Sequence, residues 1–361
     1  PHCHKQADFT TPKMFNLMFE TFVGSLDPVN VLLNLWLKLR NAIKAENKED
    51  IENLSNQIHD FFGEDLEKAI AYFRPETAQA MFVDFKNILD TTRIALPFGI
   101  AQIGKAFRNE ITPSNFIFRT REFEMMEIEY FIPEPKLDKS WQKYFEEWRD
   151  EMRNWMKEVG INLDKVHEVE IPEGERAHYS ERTTDFEYEY PFGQKELYGL
   201  AYRTDFDLKA HFKEPPYRDP ETGKEFWPHV IEPTWGVDRT ALVVLLDAYT
   251  EEDDRVVLKL KPKLAPYKAA VFPLLANKPE LVSLARKIYD DLRQHFPTAW
   301  DDRGNIGKRY YSQDEIGTPY CITVDHQSLE DKTVTVRDRD TTEQERVKIE
   351  ELRNWLPKKL Q

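Results

Sequence analysis

The sequence predicts an α+β chain of two domains, the second a small α/β unit with a mixed sheet. Three observations carry that expectation. A strand–turn–strand pattern runs through PFGIAQIGKAFRNEITPSNFIFRTREFEMMEIEYF, from Pro97 to Phe131. Stretches with apolar residues at helical spacing bracket it on both sides. A composition change from Lys259 to Pro266, prolines among lysines, is followed by alternating strands and helices.

In chain order, Phe15 to Val23 is apolar and stops at Gly24. Val29 to Tyr72 reads as helical, with Leu32, Leu35, Trp36 and Leu39 at three- and four-residue spacing, and Lys44 to Glu52 as a helix–helix turn or solvated face. Pro75 pushes Arg74 out of helical geometry, and Thr77 opens the next helix. Arg108 and Glu110 stand two apart, so on a strand both leave the same face. Thr112-Pro113-Ser114-Asn115 forms the turn. On the return strand Phe123, Met125, Glu127 and Glu129 share one face, and Glu122, Glu124, Met126 and Ile128 the other. A face of arginine, ring and carboxylates makes a poor core and a good floor for a phosphate, a flat base and an amine. An ordinary hairpin with solvated charges is the alternative.

Lys139 to Val159 is a second helical segment, and its tryptophans Trp141, Trp148 and Trp155, seven apart, form a packing stripe. Short strands run from Val166 to Leu208, punctuated by Pro191, Gly193 and Gly199. Val230 to Gly236 is a strand and Val237 to Tyr249 an apolar helix, with Asp238 and Arg239 in its first turn. Beyond the composition change we expect strand Ala269–Phe272, helix Pro279–His295, a strand, strands Tyr320–Val324 and Thr333–Arg337, and helix Glu343–Trp355. Internal repeats and low-complexity tracts are absent.

Charged residues at 32% and hydrophobic ones at 40% describe a globular chain, and its 361 residues suffice for two cores. Mean hydropathy of −0.65 and the lack of a long apolar run exclude a membrane-spanning helix. Cys3 and Cys321 cannot build a disulfide framework, which with the lack of a leader predicts a reducing cytoplasm. A net charge of −15 argues against a general nucleic-acid coat, yet leaves room for an enzyme with a local basic surface. The chain opens at Pro1 and reads as lacking N-terminal sequence. His2, Cys3 and His4 are then either the remnant of a zinc knuckle or a polar loop.

Three separated segments converge: RPETAQ with Glu76, FRNE with Arg108 to Glu110, and the strand-to-helix piece holding Glu232, Pro233 and GVDR. Together they resemble the class II aminoacyl-tRNA synthetases, and within them the glycyl branch. PFGIAQIGKAFRNEITP and DEIGTPYCITVD, from Asp314 to Asp325, are particular to that branch. The likeness runs from Phe15 to Thr341. It implies an antiparallel class II sheet flanked by helices over 1–264, with helical insertions at about 29–72 and 136–175, and an anticodon-binding domain over 265–361.

Residue by residue, the resemblance implies that Arg108 holds the ATP α-phosphate, with Asn109 and Glu110 near the adenine. Phe118, Arg119 and Arg121 belong to the ATP segment and its return strand, and Phe123 stacks on adenine. Glu196 and Leu197 form another piece of the ATP site, Gly236 opens the last, and Arg239 meets the γ-phosphate. Glycine is gripped by Glu76, Glu127, Glu232 and the Thr234 hydroxyl, beside Phe123. Each glutamate has a structural alternative: Glu76 capping a helix, Glu127 a surface charge, Glu232 an arginine partner. In the second domain Arg303, Lys308, Arg309, Tyr310 and Tyr311 suit splayed bases, with Asp338 and Arg339 as base-edge readers.

Glycine offers no side chain to hold, so selectivity must come from excluding Cβ. The implied reaction needs no protein nucleophile. The glycine carboxylate attacks the α-phosphorus, pyrophosphate leaves, and a tRNA 3′ hydroxyl takes the glycyl group. Arg108, Arg239 and Mg²⁺ supply positioning and charge stabilisation. The implied partners are ATP, Mg²⁺, glycine, tRNA(Gly) and a second copy of the chain in a homodimer; Mg²⁺ is carried by Glu232 or by the adjacent phosphates, no dedicated protein metal site is expected, and no membrane is involved. The rival reading is a non-catalytic synthetase-like subunit that binds nucleic acid or a partner. Departures from the family pattern are Ala80 for glycine, Met125 for glutamine, Thr234 for serine, Gln194-Lys195 where tryptophan is common, and a motif one that is not in the sequence and is expected before Pro1.

Overall fold

The computed structural model describes residues 18–22, 28–62, 70–135 and 141–360. The His2, Cys3 and His4 group and, from the Phe15–Val23 run, Phe15, Asn16, Leu17 and Val23 lie outside the described residues. Helices Pro28–Lys44 and Lys48–Asp60 pack as a hairpin, the second capped by Asn47, whose side chain accepts from the Asp50 amide. The helical reading to Tyr72 ends too late: Ile70–Tyr72 (β2) pairs antiparallel with Glu20–Phe22 (β1).

The central sheet is built from Phe98–Phe107 (β3), Glu122–Ile132 (β4), Val166–Glu170 (β5), Arg182–Tyr190 (β6) and Gly193–Thr204 (β7). After the short hairpin of Tyr217–Arg218 (β8) and Glu225–Phe226 (β9), His229–Gly236 (β10) completes it. Its order is β3-β4-β10-β7-β6-β5, with every pair antiparallel.

Alternation assigns the two faces of this sheet. Met126, Ile128 and Tyr130 of β4, Phe186 and Tyr188 of β6, Tyr202 of β7, and Ile231 and Trp235 of β10 form one apolar face. Helix Trp141–Glu158 covers it through Phe145, Met152 and Met156, as does helix Val237–Ala248 through Val243. The tryptophan stripe packs as expected at two of its three positions. Trp141 stacks on Tyr202 at 4.1 Å and Trp148 meets Trp235 edge-on, whereas Trp155 is half-exposed. The opposite face carries Phe123, Met125, Glu127 and Glu129, the parity read from the sequence. Helix Ala78–Thr92 closes one end of that face, packing Phe82 and Phe85 on Phe98 and Phe131.

Tyr249–Glu251 (β11) and Val256–Leu258 (β12) form a hairpin leading to the second sheet. That sheet orders Thr298–Trp300 (β14), Ala269–Pro273 (β13), Tyr320–Val324 (β15), Thr333–Asp338 (β16) and Gln344–Lys348 (β17). The pairs of β13 are parallel and the last two pairs antiparallel, so the sheet is mixed. Helices Pro279–Leu292 and Leu352–Lys359 bury Leu281, Ile288, Leu352 and Leu356 in its core. The helix expected over Glu343–Trp355 is corrected: its first half is β17, and only Val347 of that strand is buried.

Asp314 joins the β11–β12 hairpin to this second sheet. Fully buried, it accepts from Arg255 Nη1 at 2.8 Å and from both terminal nitrogens of Arg337 at 2.9 and 3.0 Å. Gly317 follows with φ +80°, and a Cβ there would stand 2.9 Å from the Leu258 carbonyl oxygen, so only glycine fits.

Candidate active site

The polar face of β4, β10 and β7 floors a cavity of about 530 Å³. Glu76, Arg108, Glu110, Phe118, Arg119, Phe123, Glu127, Glu196, Leu197, Glu232, Thr234, Gly236 and Arg239 all line it. Asn109 does not.

Arg108 and Glu110 reach the cavity by a different route from the one expected. Strand β3 ends at Phe107, and the Glu110 amide donates to the Arg108 carbonyl at 2.7 Å, a tight turn rather than a strand. Pairing persists for one more residue, the Arg108 amide donating to Arg121 O at 3.0 Å. Arg108 Nε donates to Pro75 O at 3.2 Å, and its guanidinium lies 5.2 Å from the Phe123 ring. The intervening loop turns at Asn115 and Phe116, with φ of 57° and 56°.

Arg239 brings the remaining arginine-end residues together. Its Nη1 donates to Glu196 O at 3.0 Å and pairs with the Glu196 carboxylate at 3.2 Å, while its guanidinium covers Phe118 at 4.4 Å. Asp238, next to it, accepts from the Glu124 amide at 2.8 Å and ties the helix start to β4.

At the other end the glutamates gather. Buried Glu127 accepts from the Thr77 amide at 2.8 Å and from the Thr77 hydroxyl, so it is no surface charge. Thr77 is the N-cap of helix Ala78–Thr92 but makes no side-chain capping bond there. Glu76 accepts from Gln79 Nε2 at 3.2 Å. Glu232 does have an arginine partner: Arg203 Nη1 donates to it at 2.8 Å and the same guanidinium forks onto Asp207 at 2.8 and 2.9 Å. Arg203 also stacks on Tyr179 at 3.7 Å. Burial pushes the Glu127 carboxyl up and the Glu232 carboxyl up to about 7, against the pull of Arg203 on the latter.

Arg203, Tyr179 and Asp185 are residues that sequence reasoning passed over, and Glu129 was placed on the right face but given no role. Asp185 lines the cavity opposite Gly199, and burial with Glu196 nearby pushes its carboxyl up to about 7. Local spacing held no signal for Arg203: it lies near the end of strand β7, and its bonds to Asp207 form across the turn into helix Phe206–His211 rather than along one helix.

In the second sheet's domain two base-reader expectations are corrected. Arg309 is buried and donates to the carbonyls of Pro273, Arg303 and Gly304; Arg339 is buried and donates to those of Gly317 and Leu260. Both hold backbone inside the fold. Tyr310 packs on Phe272 and bonds Thr323, and one oxygen of Asp338 accepts from the Asp340 and Thr341 amides. Arg303, Lys308 and Tyr311 are exposed.

Two family models match the chain: the tRNA synthetase class II core domain (G, H, P, S and T) over residues 61–249, and the anticodon binding domain over 268–359. Sheet, cavity and both matches define a class II aminoacyl-tRNA synthetase core carrying an anticodon-binding domain. The chain is 45% identical to the glycine–tRNA ligase of Alkaliphilus oremlandii, over all of its own length and 70% of that relative's. It is 42% identical to that of Thermus thermophilus and 45% to that of Geobacillus thermodenitrificans, again over its full length and 70% and 69% of theirs. The chain belongs to the glycine–tRNA ligase family: it activates glycine with ATP and transfers the glycyl group to tRNA.

Proposed function

We propose that the two ends of the cavity divide the first step between them. Arg108 and Arg239 hold the α- and γ-phosphates, Phe123 stacks on adenine with Asn109, Glu110, Phe118 and Arg119 around it, and Glu196, Leu197 and Gly236 complete the ATP site. Glu76, Glu127, Glu232 and Thr234 hold the glycine ammonium. The observation that carries this reading is that both arginines and all three glutamates line one cavity. The glycine carboxylate is thereby aimed at the phosphate end, and no protein nucleophile is required. Mg²⁺ binds with ATP; the phosphate oxygens and the exposed Glu196 carboxylate are the hard donors such an ion takes. Arg203, buried behind Glu232, fixes the carboxylate that faces the ammonium.

The chain divides at 264/265, the anticodon domain reads bases through its exposed Arg303, Lys308 and Tyr311, and the enzyme works in the cytoplasm as a homodimer. The ten-residue edge strand β3, with Ile103 70% exposed, supports a second copy packing there. Pyrophosphate–ATP exchange, run amino acid by amino acid, tests the reading: glycine alone should sustain exchange, and sedimentation of the intact protein reports the dimer.

A further inference from the structure

Glu129 has no role in the reading above, yet it sits beneath it. The side chain is 0% exposed, and neither carboxylate oxygen has a hydrogen-bond partner among the described residues. Strands β4 and β10 pair Tyr130 with Ile231 and Glu127 with Thr234, so the same register sets Glu129 directly against Glu232. Cross-strand neighbours on one face hold their Cβ atoms about 5 Å apart. Two carboxylates so placed, away from water, do not both ionise.

The hydrogen bonds say which one keeps the charge. Glu232 accepts from Arg203 Nη1 at 2.8 Å, while no donor is directed at Glu129. We propose that Glu129 carries a proton at neutral pH and donates it to the Glu232 carboxylate, acting as a positioning residue that sets the orientation and the single charge of the buried pair. The proposal rests on the assignment of Glu232 to glycine binding.

The charged groups facing Glu129 are Glu127 on its own strand, Glu232 on β10, Arg203 on β7 and Asp207 on helix Phe206–His211. Burial and then Glu232 push the Glu129 carboxyl well above the ordinary range, and Arg203 alone among its neighbours opposes them. A neutral Glu129 also resolves its missing partner, because a carboxylic acid has an O–H to donate where a carboxylate has only acceptors. One oxygen of Glu232 is then held by Arg203 and the other by Glu129, leaving the remaining lone pairs in a fixed direction for the ammonium.

Infrared spectroscopy on the full chain, paired with glycine-dependent pyrophosphate–ATP exchange, tests this. At about pH 7 the parent should show, in difference against each variant, the C=O stretch of one un-ionised carboxyl, a subtraction that cancels the bands of other raised carboxyls such as Asp185. Glu129→Gln should remove it while keeping the glycine KM within about threefold, since the amide retains volume, neutrality and a donor. Glu129→Leu, which keeps the volume and loses the donor, should also remove the band and raise the glycine KM by about tenfold with the ATP KM unchanged. The proposal is overturned by a parent-minus-variant difference that lacks the band for either variant, or by a glycine KM that rises tenfold in Glu129→Gln or stays at the parent value in Glu129→Leu. A Glu129→Gln chain that fails to fold also counts against it, because a neutral isostere must fit where the native group is neutral. Unchanged glycine KM in Glu76→Gln would instead remove the glycine-pocket assignment and leave the infrared result standing.

Discussion

Arg203 offers the most demanding test of the site's electrostatics. Replacing it with Met keeps the length of the stem but deletes the fork, two bonds to Asp207 and one to Glu232, along with the stack on Tyr179. Asp207 and Glu232 are 4% and 7% exposed, so both carboxylates would be left out of water without their cation. Breaking a buried pair by removing one partner costs about 3–5 kcal/mol, and that is the expected loss in chemical denaturation at pH 8.

The loss must also depend on pH, with a definite sign. Without Arg203 the folded-state value of the Glu232 carboxyl rises further above its unfolded value, and it already stands at about 7 with the arginine in place. A group raised in this way penalises the folded state fully above its folded value and not at all below its unfolded one, about 4. The deficit of Arg203→Met relative to the parent should therefore shrink as pH falls from above 8 towards about 7, the parent's own Glu232 value, by about 1.4 kcal/mol per pH unit for the proton the variant takes up first, and change little below it. Equal denaturation midpoints at pH 8, or a deficit identical at both ends of the range, would refute the reasoning. Arg203→Lys should recover only part of the loss, since one ammonium cannot fork onto two carboxylates.

The remaining expectations concern activity. Arg108→Ala and Arg239→Ala should each lower pyrophosphate exchange by about 10²–10³ with the melting curve little changed, since each guanidinium lines the phosphate end of the cavity and is not in the core; a parent-like exchange rate would withdraw that arginine. Glu76→Gln should raise the glycine KM by about tenfold and leave the ATP KM alone, whereas a joint rise would make Glu76 a structural residue. Ending the chain at Leu264 should preserve exchange, because every proposed adenylate-site residue precedes it, and should depress tRNA charging; a folded truncation that charges tRNA like the full chain would show that the second domain does not read the anticodon.

What the sequence disclosed follows from periodicity. The period of two along β4 separated Glu127 and Glu129 from Met126 and Ile128, and the helix Pro279–Leu292 announced itself by its apolar spacing. Strand β17 did not, because it is an edge strand: QERVK pairs with β16 on one side only and buries Val347 alone, so charged residues occupy positions that a central strand would fill with apolar ones. The turn at Arg108 was hidden for another reason. Residues two apart look alike on a strand and at its fraying end, and only the bond from the Glu110 amide to Arg108 O distinguishes them. Arg309 and Arg339 illustrate a third limit. An arginine reads as a surface cation until the fold strands carbonyls that need its five N–H groups, and nothing local in the sequence reveals those carbonyls. Arg203 and Glu129 were likewise invisible as partners of Glu232, since their proximity comes from sheet order rather than spacing.

The joint at Asp314 has a mechanical consequence. One carboxylate grips Arg255 from before the junction and Arg337 from the sheet beyond it, and Gly317 leaves no clearance over Leu258. Tilting such a joint would break buried ion pairs and drive backbone into backbone together, so intermediate positions have no compensating contacts. The hairpin and the second sheet therefore move as one piece, so any flexing between the catalytic sheet and the second domain has to occur before Tyr249, where the hairpin leaves helix Val237–Ala248.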